Sequence, residues 1–323
     1  MSDRENTSAR GADGRPVRIG LPRALLYHRY GVLWETFFDE LGYSVVVSPA
    51  TNKKILDQGA DLAIDEACLS AKIFLGHVNW LIGRCDYIFV PRISNYGRRR
   101  NFCTRFEAEY DLVCNVFRDS GQEFLGIDID ILNKKKEDDA YIGLGQELGF
   151  SKKEATRAYR RARKADAAAW SDELRYAKGQ YQEEGIKILV AAHSYVSQDK
   201  YFGEPIFDYL ESMGVTAIRA DVTDRHKAIN RSGKLSPTLK WEMSREIVGS
   251  IEMNRSKVDG IILTSVYPCG PDSMVNEMIT RRVKDTPILN LVLDAQTGTA
   301  GLETRLESFI DILKLKKEAE AGE

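Results

Sequence analysis

An excess of either charge is missing: 46 Lys and Arg face 48 Asp and Glu, for a formal charge of −2. Without a basic surplus the chain has no bulk affinity for nucleic acid or for an anionic membrane surface. Long apolar runs are absent too. Stretches such as Ile188 to Ala192 are only a handful of residues, far below the ~20 of a membrane helix. The first fifteen residues, MSDRENTSARGADGR, have acids and small polar residues but no apolar centre. They are expected to form a loose tail (1–15) rather than a secretory signal, which makes a cytoplasmic location the expectation. Cysteine is sparse and odd in number, at five. That excludes a disulfide scaffold and turns attention to metals or reactive thiols.

Several motifs are lacking as well. No G-x-x-x-x-G-K-[ST] occurs, so the chain has no phosphate-binding loop of that kind. Gly143, Gly145 and Gly149 in GLGQELG approach a dinucleotide fingerprint, but their spacing is wrong and no strand precedes them. H-E-x-x-H, C-x-x-C and G-x-S-x-G are absent and the four histidines lie far apart in sequence. Simple zinc-ribbon and hydrolase-elbow readings therefore lose their support.

What is present is an ordinary globular balance, 43% hydrophobic and 29% charged residues over 323 positions, enough for about two domains. VRIG at 17–20 is a short apolar stretch, followed by Leu33, Trp34, Phe37, Phe38 and Leu41 at helical spacing. Tyr43 to Val47 reads as a strand buried on both faces. A helix over Ala67–Ile82, a strand at Tyr87–Val90, a helix over Thr104–Arg118 and a strand around Phe124–Ile129 follow. From Asn133 the chain becomes charged and rich in helix formers through RAYRRARKADAAAW. Interleaved acids make this a solvated helical face rather than a nucleic-acid arm. Alternation resumes with strands at 186–192, 216–220, 260–266 and 288–293, and with helices at 205–213, 239–253, 272–283 and 301–315. The expected fold is α/β: two flavodoxin-like doubly wound parallel-sheet domains, 16–132 and 186–323, joined by a charged helical connector, 133–185.

Three cysteines have telling places in this pattern. Cys269, in YPCGPDS, follows the strand 260–266 and precedes a helix that Pro271 and Asp272 would begin. Cys103 holds the equivalent position before the helix starting at Thr104, and Cys68 falls in the first turn of the helix over 67–82. Helix N-termini favour thiolate, and ligands of open α/β sheets collect outside the carboxyl ends of the strands. Cys85 and Cys114 read as core packing. Three convergent thiolates can hold a cubane with one iron lacking a cysteine, or a zinc ion, and spacing does not decide between them.

The segments IGLPRALLYHRYGVLWETFFDELGYSVVVSP, DEACLSAKIFLGHVNWLI, CDYIFVPR, NFCTRFEAEYDLV, YPCGPDSMVNEMITRR and TGTAGLETRLESFID together resemble the family of 2-hydroxyacyl-CoA dehydratases and their activase-related proteins. The closer likeness is to the branch of CoA-enzyme activase domains and double-cubane cluster proteins. It spans nearly all of the chain outside the tail and the connector.

The resemblance implies that Cys68, Cys103 and Cys269 ligate a 4Fe-4S cluster. It further implies a cytoplasmic, dimeric protein of anaerobic metabolism that accepts low-potential electrons from a separate ATP-dependent activator and acts on an acyl-CoA. One cubane per chain is expected, because only one cysteine triad is present. Family members usually carry an acidic–His pair before the C-terminal Gly-x-Ala-Gly turn, whereas this chain has Ala295 and Gln296 there. The alternatives are a non-catalytic iron–sulfur relay or partner subunit, and a zinc or small-molecule binding protein. Secondary candidates are His77 and His193 as support for the metal ligands, and Arg98, Arg99, Arg100 and Arg105 as an anion site for coenzyme A phosphates or an acidic electron donor.

Overall fold

The computed structural model describes residues 15–295 and 299–321. The expected tail, apart from Arg15, and Gln296 of the departure noted above lie outside the described residues. The chain forms two compact units. The first takes the chain up to Ile64 together with Ala71–Ser171, and the second takes Asp65–Ser70 together with the chain from Asp172 onward.

In chain order, the elements up to the unit boundary are β1 (Arg18–Leu21), α1 (Tyr27–Glu40), β2 (Ser44–Val47), α2 (Lys53–Leu62), α3 (Leu69–Leu81), β3 (Tyr87–Phe89), β4 (Arg92–Asn95), α4 (Thr104–Val116), β5 (Glu123–Leu125), β6 (Asp128–Asp130), α5 (Glu137–Glu147) and α6 (Lys152–Gln180). The main sheet of the first unit has the order β2-β1-β3-β5, and β4 pairs with β6 in a small second sheet. All of these pairings are parallel. Because β2 lies at the sheet edge it is only half-buried or exposed along its length, a correction to the reading of YSVVV as buried on both faces.

The expected single strand around Phe124–Ile129 divides into β5 and β6, which join different sheets. Gly126 stands at the division, where an added Cβ would come within 2.7 Å of the Tyr110 ring. The helix α2 had no sequence expectation. It starts where Asn52 Oδ1 accepts the Ile55 N–H at 3.1 Å, the usual role of an asparagine N-cap.

The charged segment folds as α5 and α6. Ala155, Ala158 and Ala162 form the buried stripe of α6, with small residues that allow close approach, while its charged residues remain outside. Tyr141 of α5 accepts a hydrogen bond from Trp34 Nε1 at 2.8 Å and stacks on Tyr159 with centroids 5.0 Å apart. Gly143 and Gly145 are thus helix residues and not a phosphate loop. Helices α2 and α3 meet at glycines: a Cβ on Gly59 would lie 1.8 Å from the Lys72 carbonyl oxygen, and one on Gly76 would lie 2.0 Å from that of Ile55.

The second unit contains β7 (Ile186–Ala191), α7 (Ser194–Ser197), α8 (Glu204–Ser212), β8 (Val215–Arg219), α9 (Arg225–Ser232), α10 (Glu242–Asn254), β9 (Gly260–Val266), α11 (Gly270–Arg282), β10 (Ile288–Leu293) and α12 (Thr299–Ala321). Its parallel sheet has the order β10-β9-β7-β8. All seven residues of β9 are buried, which is why GIILTSV shows no alternation of polar and apolar residues. Leu189, Ala191, Ile261 and Leu263 pack with Val248, Ile251 and Ile279 of α10 and α11 in one core. Each main sheet starts from an inner strand and extends to both sides, so strand order reverses between β1 and β3 and between β7 and β9. Crevices outside the carboxyl ends at such switch points are where ligands bind in open α/β sheets.

Candidate functional site

The chain leaves β7 at Ala191 and reaches His193, which caps α7. It leaves β9 at Val266 and reaches Cys269, which caps α11. Both residues therefore stand just beyond the carboxyl ends of the two strands that flank the switch point of the second unit. His193 Nε2 donates to Asp272 Oδ1 at 2.9 Å, and both side chains are buried. Asp272 sits in the first turn of α11, where an acid suits the positive end of the helix dipole. Burial works against its charge, yet the adjacent His193 holds the carboxyl below its ordinary value. Burial likewise opposes a charged His193, but the carboxylates of Asp272, Asp221 and Glu246 together raise its pKa. Both shifts favour the charged forms of the pair.

Cys68 directly precedes α3, and residues 65–70 belong to the second unit although the chain on both sides of them belongs to the first. The Leu69 N–H donates to the Tyr267 carbonyl at 2.9 Å, which docks the turn carrying Cys68 on the turn carrying Cys269. The two sulfurs are close enough that a charged Cys68 raises the Cys269 pKa. For Cys269 the expected preference for thiolate is reversed. Burial pushes its thiol well up and the Asp272 carboxylate adds to this, outweighing the helix terminus.

Cys103 caps α4 in the first unit and is partly exposed. Among the described residues no group of three or more His, Cys, Asp or Glu side chains is arranged to hold a metal ion. The second unit carries Cys68 and Cys269 on two turns joined by a backbone hydrogen bond, and thiols are the donor type of a thiophilic metal. Cys85 is buried, as expected, with its Sγ 3.5 Å from the Leu81 carbonyl oxygen. Cys114 is only partly buried, so the core-packing reading holds for it less fully.

His77 is locked in the first unit. Its Nδ1 lies 2.8 Å from Ser48 Oγ and its Nε2 lies 3.0 Å from Thr51 Oγ1. Ser48 Oγ also accepts the Arg23 N–H. Burial, then the nearby His28 and Arg23 charges, push the imidazole pKa down to about 3. His77 therefore acts as a neutral tie between the segment after β2 and α3. The unfolded chain takes up a proton near 6.5 and the folded chain does not until about 3, so this stabilisation is complete above 6.5 and is lost as pH falls through that window. The expected result is a loss of up to about 1.4 kcal/mol per pH unit below 6.5, read from urea midpoints at pH 7 and pH 5. A His77→Gln variant should show a flatter profile, and identical slopes would contradict this role.

Arg98, Arg99 and Arg100 are exposed on a tight turn. The Tyr96 N–H donates to the Arg100 carbonyl at 2.9 Å and the Arg100 N–H donates to that of Gly97 at 3.0 Å. Asn95 Oδ1 accepts the Gly97 N–H, while Asn95 Nδ2 donates to Asp130 Oδ1 at 2.6 Å. The basic turn is thus presented on a buried polar base. Arg105, on α4, lies one helical turn before a residue that the sequence reading missed. Glu109 shares the buried face of α4 with Phe106 and Val113, and neither of its carboxyl oxygens has a hydrogen-bond partner among the described residues. Burial lifts its pKa to about 8, only partly offset by Arg105. An acid at the i+3 position of an apolar stripe was the available signal.

For Glu109 the sign runs the other way. The folded state keeps the acid neutral up to about 8, whereas the unfolded chain ionises it near 4.5. Its contribution is full below 4.5 and is lost as pH rises toward 8. Glu109→Leu is expected to raise stability at pH 7.5, with the gain shrinking by about 1.4 kcal/mol per pH unit toward 4.5. Thermal unfolding at the two pH values checks this, and a gain independent of pH would contradict it. A cavity of about 430 Å³ in the first unit, lined by Arg92, Tyr110, Asp128 and Glu147 among others, includes none of the residues expected from sequence.

Residues 18–223 match the family described as the CoA enzyme activase uncharacterised domain (DUF2229). The chain belongs to this family. The match includes Cys68, Cys103, His77 and His193 and ends before Cys269. No curated protein matches the chain. Among solved structures, the chain is similar to the SBP FpvC of Pseudomonas aeruginosa in complex with Ni2+, at 14% identity and a TM-score of 0.27, over 94% of this chain and 98% of that one. A second structure of FpvC, with Mn2+, aligns at 14% identity and a TM-score of 0.27 over 94% and 100% of the two chains. No helix among the described residues is long and apolar enough to cross a membrane.

Proposed function

We propose that this CoA enzyme activase-related chain is the iron–sulfur component of a 2-hydroxyacyl-CoA dehydratase-like system. In this reading Cys68, Cys103 and Cys269 hold a 4Fe-4S cluster, and a separate ATP-dependent activator supplies low-potential electrons. The observation that carries the proposal is the pairing of Cys68 with Cys269. A six-residue segment leaves the unit that surrounds it in sequence, and its Leu69 N–H bonds the Tyr267 carbonyl beside Cys269. A core-packing cysteine needs no such arrangement. Cys103, at a helix N-cap in the first unit, is the proposed third ligand.

When bound, such a cluster supplies one-electron chemistry and an iron without a cysteine that can act as a Lewis acid. The protein's own part is to place the ligands. Cys269 is set by the β9–α11 turn and Cys68 by the start of α3. The exposed Arg98–Arg100 turn is the proposed site for an anion, either the phosphates of an acyl-CoA or an acidic electron donor. The protein is proposed to work as a dimer in the cytoplasm.

A second reading, a non-catalytic relay or partner subunit, is favoured by Ala295 and Gln296 standing where family members have an acidic–His pair. The iron-loaded protein, incubated anaerobically with an ATP-dependent activator and a panel of 2-hydroxyacyl-CoA thioesters, separates the two. Loss of water from a thioester supports the enzyme, and rapid electron uptake without turnover supports the relay. Failure to accept electrons from any low-potential donor would contradict both.

A further inference from the structure

The pairing of His193 with Asp272 spans two separate elements of the second unit. It joins two pieces of backbone that the sheet alone does not fix together. His193 belongs to the exit from β7, whereas Asp272 lies in the first turn of α11, three residues after its cap Cys269. The polar tie between them is the 2.9 Å bond from Nε2 to Oδ1. Among the described residues, buried His193 Nδ1 has no hydrogen-bond partner, so no second hydrogen bond from them anchors the ring. Its face stacks on Tyr195, centroids 5.1 Å apart, which limits rotation about the ring axis. Cys269 itself makes no side-chain cap to α11. Its backbone is held by the Cys269 N–H donating to the Val266 carbonyl and by its own carbonyl accepting the Ser273 N–H and hydroxyl, and its thiol meets the Asp272 carboxylate.

We infer that His193 is the positioning residue of Cys269, acting through Asp272 to fix the first turn of α11 against the carboxyl end of β7. The inference rests on the reading of Cys269 as a metal ligand. Supporting groups of this kind typically alter metal affinity 10- to 100-fold when removed. An isolated buried ion pair is weak evidence for a stability role, so positional precision is the better account of why this one lies beside Cys269.

The test uses the full chain, purified anaerobically and reconstituted with ferrous iron and sulfide. The readouts are the rate of iron loss to a chelator and the midpoint potential, with circular dichroism as a control for folding. His193→Ala is expected to lose iron about tenfold faster than wild type. His193→Gln, whose amide can donate from near the place of Nε2, should recover most of that difference, and His193→Asn, whose amide sits near Nδ1, should not. The double variant His193→Ala/Asp272→Ala should be no worse than Asp272→Ala alone, because the two act as one unit. Should the alanine variants fail to fold, the comparison of Gln with Asn still decides. Folded His193→Asn and His193→Gln proteins that keep iron and potential at wild-type values would overturn the inference and leave the metal reading standing. Wild-type protein that takes up no iron would remove the metal reading, and this inference with it.

Discussion

On the proposed cluster, replacing Cys269 with Ser is expected to strip iron from anaerobically purified protein, and replacing Cys85 with Ser is expected to leave it in place. The contrast follows from position. Cys85 is enclosed in the first unit with its sulfur against the Leu81 carbonyl, and burial raises its pKa to about 11. Burial there outweighs the Arg18 charge and the Gly20 backbone contact that favour a thiolate, no second cysteine is recorded beside it among the described residues, and the serine change only trades a small apolar group for a polar one. Cys269 stands at the end of β9, beside Cys68 and at the start of a helix.

The raised pKa of Cys269 sharpens the expectation. A thiol this reluctant to ionise, next to a carboxylate, becomes a thiolate when a cation takes the place of its proton. Metal uptake should therefore release protons and weaken as pH falls. Iron analysis of the two variants, prepared side by side, checks the contrast. Equal iron in both would contradict it.

The second large effect is on folding. Gly76→Val should abolish the folded state of the first unit, since even a Cβ at that position would stand 2.0 Å from the Ile55 carbonyl oxygen. The contact is with helix backbone, not with a flexible side chain, so α2 and α3 would have to separate. Ordinary overpacking costs about 1–3 kcal/mol. Forcing two helices apart goes beyond this, against a total stability on the order of 5–15 kcal/mol. Gly143→Ala provides the opposite case. It lies inside α5 with open space around the added atom, and should stabilise by roughly 0.5–1 kcal/mol. Circular dichroism and thermal melting of the two variants decide; a folded Gly76→Val protein with an unchanged melting temperature would contradict the packing described.

The α/β alternation was legible because buried parallel strands such as GIILTSV and IKILVA carry their own signature, and because helices such as α1 repeat their aromatics at helical spacing. Elements whose ends are set by single residues were harder to see. Helix α2 has two lysines, two aspartates and a glutamine in ten positions, and its register depends on Asn52 and on Gly59 approaching α3. The split between β5 and β6 depends on the Tyr110 ring beside Gly126, a contact from another element.

At the candidate site, the helix-terminal positions of Cys103 and Cys269 could be read from the strand and helix pattern. That Cys68 travels with the second unit could not, since no local feature of DEACLSAK announces a partner across the whole chain. Asp272 was visible only as a residue that begins a helix. Its bond to His193 depends on β7 and β9 being neighbours, which is a property of strand order. Glu109 was an anomaly in an apolar stripe, and its significance appears only when no partner is found for it.

The measurement that bears most directly on the account is the iron and acid-labile sulfide content of the full chain, purified without oxygen and, in parallel, reconstituted with iron and sulfide. The account predicts about four irons and a matching amount of sulfide per chain, as for a single cubane. A colourless protein that holds neither iron nor sulfide after reconstitution would contradict it.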